Sequence, residues 1–86
     1  MQLGSRHART LEAVFSELTP SGLAWRDIEG LLVAVGCGTV EGRGSRVRFV
    51  KDGRIETFHR PHPIKEAKRY QVRAARDFLI RLGIEP

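Results

Sequence analysis

A chain of 86 residues has room for one hydrophobic core, which excludes a multidomain enzyme. Hydrophobic residues make up 41% of it, ordinary for a soluble fold, and its longest uncharged run, Gly30 to Val40, falls far short of the roughly 20 apolar residues of a membrane-spanning helix. The net charge of +5 conceals an asymmetry: up to Gly42, Arg6, Arg9 and Arg26 face Glu12, Glu17, Asp27, Glu29 and Glu41, a net −2, whereas the remainder carries a net +7.

Twelve of the 15 cations are arginine, whose planar fork suits phosphate. The basic second half therefore predicts a face for a polyanion, either nucleic acid or an acidic protein. The plainer alternative is a solvated basic surface. Cys37 is the only cysteine, so no internal disulfide and no cysteine-based zinc site is expected, and a reducing cytoplasm suits the chain. Nothing at the N-terminus reads as an export signal, because Arg6 stands where an apolar centre would be needed.

In chain order, Leu11, Val14, Phe15 and Leu18 have the spacing of one helical face, and Thr19-Pro20-Ser21-Gly22 ends it. A second helix is expected from Trp25 to Val35, with Ile28, Leu31, Leu32 and Val35 inward and Gly36 as its left-handed stop. Cys37 to Glu41 reads as a short strand. Arg46 to Val50 and Arg54 to His59 read as a hairpin about a type I′ turn at Asp52-Gly53. That turn sets Val47 opposite Phe58, Phe49 opposite Glu56, Arg48 opposite Thr57 and Arg46 opposite His59. One face then collects Val47, Phe49 and Phe58 for the core, and the other collects Arg46, Arg48, Thr57 and His59 for a ligand.

Arg60-Pro61-His62-Pro63 cannot continue a central strand, because proline has no N–H to donate. A last helix is expected from Lys68 to Leu82, with Val72, Ala75, Leu79 and Leu82 inward and Gly83 ending it. Arg69, Arg73 and Arg76 fall within roughly 60° of one another on that helix and form a basic ridge, for a phosphate backbone, for an acidic partner, or simply for solvent.

Specific chemistry is narrowed by elimination. The glycines between Gly36 and Gly44 lack the spacing of a dinucleotide fingerprint and the lysine of a phosphate loop, so no nucleotide cofactor is expected. His59 and His62 lie three apart in a proline-bent segment with no Cys or carboxylate pair beside them, so no metal is expected either. Ser45 has no His-Asp relay of a hydrolase. What remains is histidine among arginines, which suits metal-independent RNA cleavage: a base for the 2′-hydroxyl, an acid for the leaving oxygen, and cations for the phosphorane. Imidazole titrates in the useful range. The alternative for each histidine is a turn or packing role.

Trp25-Arg26-Asp27-Ile28-Glu29-Gly30-Leu31-Leu32, then Gly36, then Gly44-Ser45 opening a strand, then Pro61-His62-Pro63 before the last helix and Gly83-Ile84, resemble the HicA toxins of bacterial type II toxin–antitoxin pairs. The resemblance covers Ser21 to Pro86, and the segment before it is similar to an N-terminal extension carried by one branch of the family. The implied architecture is α+β: a small domain like that of double-stranded-RNA-binding proteins, residues 21–86, with a three-stranded antiparallel sheet and helices packed on one face, preceded by a helical extension, residues 1–20. The implied function is an mRNA-cleaving toxin neutralised by a HicB-like antitoxin. In the family the Gly-Ser pair is usually followed by the histidine regarded as catalytic, and here Arg46 follows. Arginine stays protonated, so it can hold phosphate but cannot act as the base.

The candidate catalytic group is thus His59, His62, which matches the family's second histidine, Arg46 and Ser45. The candidate RNA-binding group is Arg43, Arg46, Arg48, Arg60, Lys65, Lys68, Arg69, Arg73 and Arg76. The competing reading is a catalytically weak or inactive RNA-binding or antitoxin-binding module, because Arg46 stands where the family's catalytic histidine usually is.

Overall fold

The computed structural model describes residues 2–86. Its elements run α1 (Ser5–Val14), α2 (Trp25–Ala34), β1 (Gly38–Glu41), β2 (Arg46–Lys51), β3 (Arg54–His59) and α3 (Arg69–Arg81). The strands form one antiparallel sheet in the order β1-β2-β3, and the three helices supply the rest of the core, the α+β arrangement expected. Among the described residues no helix is long and apolar enough to cross a membrane.

The hairpin follows from its turn. Asp52 and Gly53 both adopt positive φ, 51° and 76°, as a type I′ turn requires. The resulting register pairs Arg46 with His59, Val47 with Phe58, Arg48 with Thr57 and Phe49 with Glu56. Alternation does the rest: Val47, Phe49 and Phe58 are buried while Arg46, Arg48, Thr57 and His59 are exposed. No bulge shifts the pairing. On the buried side Trp25 of α2 meets both phenylalanines, with ring centroids 6.4 Å from Phe49 and 5.0 Å from Phe58.

Ile28, Leu31 and Leu32 of α2 and Val72, Ala75, Phe78 and Leu79 of α3 complete this core. Leu11 and Val14 of α1 belong to the same cluster, so α1 covers the core. That helix is shorter than its periodicity predicts. It ends at Val14, and Leu18, expected on its apolar face, lies beyond it and is 86% exposed. A competing cation meets it there: the Arg76 guanidinium on α3 donates to the Val14 carbonyl at 2.7 Å, the acceptor that the Leu18 N–H would take in a further turn, and to the Ser16 carbonyl at 3.0 Å, whose helical donor would be Pro20, a residue without an N–H.

Gly36 takes φ +108° after α2, as expected of a stop. After β3 the chain turns back over the start of α2, where the Trp25 N–H donates to the Lys65 carbonyl and the Ala67 N–H to the Leu23 carbonyl. Segment 60–67 is therefore an arm fastened beside α2 before α3 begins.

Candidate functional site

The exposed face of the sheet is built by strand alternation alone. From β1 it takes Val40, from β2 Arg46, Arg48 and Val50, and from β3 Ile55, Thr57 and His59. The Arg60 N–H donates to the Ser45 carbonyl at 2.9 Å, one step beyond the last strand pair. That makes 45–60 a hydrogen-bonded pair, so the neighbouring pair Arg46–His59 is of the non-hydrogen-bonded kind, in which opposed Cα atoms approach to about 4.5 Å and side chains are closest. A permanent cation and an imidazole thus share one rung.

Gly42 makes room for this rung, since a Cβ there would come within 3.1 Å of the Arg46 Cβ. Gln71, buried at the start of α3, holds the other side: its amide N–H donates to the His59 carbonyl at 2.7 Å, and its amide oxygen accepts from the Lys68 N–H at 3.0 Å. Sequence reasoning did not single out Gln71. The available signal was a glutamine at the third helical position, where such reciprocal caps form.

Among the described residues, the side chains of Arg43, Arg46, Arg48 and His59 form no ion pair or hydrogen bond within the chain. The other predicted residues are dispersed. Ser45 lies in the turn just before β2, outside the strand that carries Arg46. His62 lines a separate surface groove of about 470 Å³ with Gly22, Glu66, Lys68 and Arg69. Lys65 is exposed on the arm and Arg73 is exposed on α3.

Three arginines placed in the RNA-binding group make contacts within the fold. Arg60 follows His59 and turns the opposite way, where it bonds Glu29 of α2 at 2.9 and 3.0 Å and Glu41 of β1 at 2.7 and 2.8 Å. Arg76 is bound to the carbonyls of Val14, the last residue of α1, and of Ser16 beyond it, and Arg69 reaches the Thr19 carbonyl at 3.4 Å. Of the α3 ridge, Arg73 alone forms no side-chain bond among the described residues, while Arg69 and Arg76 reach the connection between α1 and α2.

Electrostatics separates the two sides of the sheet. The Arg60 guanidinium holds the Glu29 carboxyl below the usual carboxylate range, against an opposing push from burial and with help from the Trp25 indole N–H, 2.8 Å from Glu29 Oε1. Arg60 lowers Glu41 in the same way, and the two carboxylates, Glu41 foremost, raise Arg60 further. Burial raises the Cys37 thiol, which makes it a core residue without nucleophilic character. Among the described residues no three of His, Cys, Asp and Glu converge as a metal site would require.

Comparisons with curated proteins and with solved structures returned no match. A family model described as HicA toxin of bacterial toxin-antitoxin matches residues 25–84, from the first residue of α2 through the end of α3 and beyond, more than half of the chain. The chain belongs to the HicA toxin family and is the toxin member of a toxin–antitoxin pair.

Proposed function

We propose that this toxin is a metal-independent endoribonuclease that cleaves mRNA on the exposed face of the sheet. The observation that carries the reading is the Arg46–His59 rung: an imidazole able to exchange a proton with a 2′-hydroxyl or a leaving oxygen, beside a cation that stabilises charge on the phosphorane. Arg43 and Arg48 extend the positive field along the bound strand. Arg46 holds phosphate and His59 moves the proton. His62, in its own groove, is the next choice after His59 for the catalytic histidine. A HicB-like antitoxin, whose acidic residues cover Arg46 and Arg48, is the proposed partner.

The test is induced expression in bacteria of the wild type and of His59→Ala, Arg46→Ala and His62→Ala, following growth and the integrity of a reporter mRNA. Growth arrest with RNA fragments in the wild type, lost in His59→Ala, is the expected result. A His59→Ala protein as toxic as the wild type would overturn the assignment.

A binding module without cleavage is the second reading. It is favoured by the composition of the same face: besides His59, its outward residues are arginine, threonine, valine and isoleucine, none of which supplies a partner for acid–base exchange. Wild-type protein that binds the reporter mRNA and leaves it intact is the outcome that selects it.

A further inference from the structure

A second groove, of about 460 Å³, lies between the start of α2 and the arm after β3, lined by Ala24, Trp25, Arg26, Arg60, Pro61 and Lys65. Its walls divide by chemistry. Trp25, Pro61 and Ala24 offer an apolar surface, and Arg26, Arg60 and Lys65 bring cations to it. The charge of Arg60 is taken by Glu29 and Glu41. Among the described residues, Arg26 and Lys65 form no side-chain ion pair or hydrogen bond, so theirs are the charges open to a ligand.

Arg26 is also misplaced for stability. It is the second residue of α2, where the helix dipole is positive and an acidic side chain is favoured. The Trp25 N–H is satisfied by the Lys65 carbonyl and the Asp27 N–H by the Ala24 carbonyl, while the Arg26 N–H has no partner among the described backbone groups. Two cationic residues without side-chain partners among the described residues and an apolar wall therefore line one cavity. The indole that forms part of the wall is locked in place, because its N–H is bound by Glu29, which Arg60 in turn holds with two bonds.

We propose that this groove is a nucleotide subsite: a phosphate sits between Arg26 and Lys65, and the attached base lies against Pro61 and the edge of Trp25. The inference rests on the RNA-cleavage reading for its source of nucleotides, and it extends the RNA path from the sheet around the end of β3 to α2. Phosphate recognition by paired cations with a base against an apolar or aromatic surface is how single strands are held without strict sequence preference.

Trp25 is the only tryptophan, so its fluorescence reports on the groove directly. In one arm, adenosine monophosphate and inorganic phosphate are titrated separately into the wild-type protein. Adenosine monophosphate is expected to change the Trp25 emission and phosphate alone to change it less. Equal responses would remove the base from the proposal.

In the other arm, a labelled short single-stranded RNA is bound to the wild type and to an Arg26→Ala, Lys65→Ala double variant. Both side chains are exposed, so the double variant keeps its fold. It is expected to bind about tenfold more weakly, with a salt slope reduced by about 0.7, the equivalent of one phosphate contact on a single strand. RNA bound equally by both proteins, with the emission unchanged, would overturn the subsite. A nucleotide response without RNA binding would sustain the subsite and sink the RNA-cleavage reading on which it drew.

Discussion

The two sides of the sheet are made from the same strands and differ in how completely their charges are paired. On the helix side Arg60 is shared by Glu29 and Glu41, and Arg81 bonds Glu56 at 2.7 Å. On the open side Arg46 and Arg48 stand beside His59 with no carboxylate among the outward residues. A fold that needed only stability would have interspersed acids on that face, since like charges on neighbouring positions of a sheet repel. The arginines bonded within the molecule can thus be told from those left unpaired among the described residues, although all look alike in composition.

The contrast is broken most severely from the buried side. Phe49→Ala removes a fully buried ring that touches Trp25 and Phe58 and is expected to cost about 3–5 kcal/mol, read as a lower urea midpoint with an unchanged slope. An Arg60→Met variant keeps most of the stem and deletes the fork. Leaving the half-buried Glu29 carboxylate without it is expected to cost about 1–3 kcal/mol at neutral pH.

That loss is pH-dependent with a definite sign. The carboxyl of Glu29 is depressed in the folded chain, so its contribution is complete above the ordinary carboxylate range and disappears as the pH falls through the depressed value. Wild type and Arg60→Met are therefore expected to converge in stability in acid, and denaturation curves across pH 2 to 7 would show it. The smallest effect belongs to the open face: Arg48→Ala is expected to change stability by less than about 0.5 kcal/mol while weakening RNA binding at low salt. A large loss of stability in Arg48→Ala would mean that the open face is structural after all.

The hairpin was legible because its information is local. Asp52-Gly53 names the turn, the turn fixes the register, and alternation assigns every side chain from Arg46 to His59 to a face. Gly36 and Gly83 likewise mark the ends of α2 and α3. The partners of Arg60 were not legible, since Glu29 and Glu41 come from elements 31 and 19 residues away in sequence and meet only once α2 lies on the sheet. Its direction was available, however: a residue that follows His59 in an extended chain must turn to the other side. The end of α1 was not legible for a related reason, because the Val14 carbonyl is taken by Arg76, 62 residues later.

The family match begins at Trp25, yet the packing does not. Leu11 and Val14 lie in the common core, and Arg76, well inside the matched segment, has its guanidinium fastened to carbonyls outside it. A piece trimmed to the family boundary would bare an apolar strip along α2 and α3 and strand a half-buried arginine. The helix before the matched segment and the segment itself thus form one packing unit, so that substitutions on the buried side of α1 are constrained by α3 and those in α3 by α1.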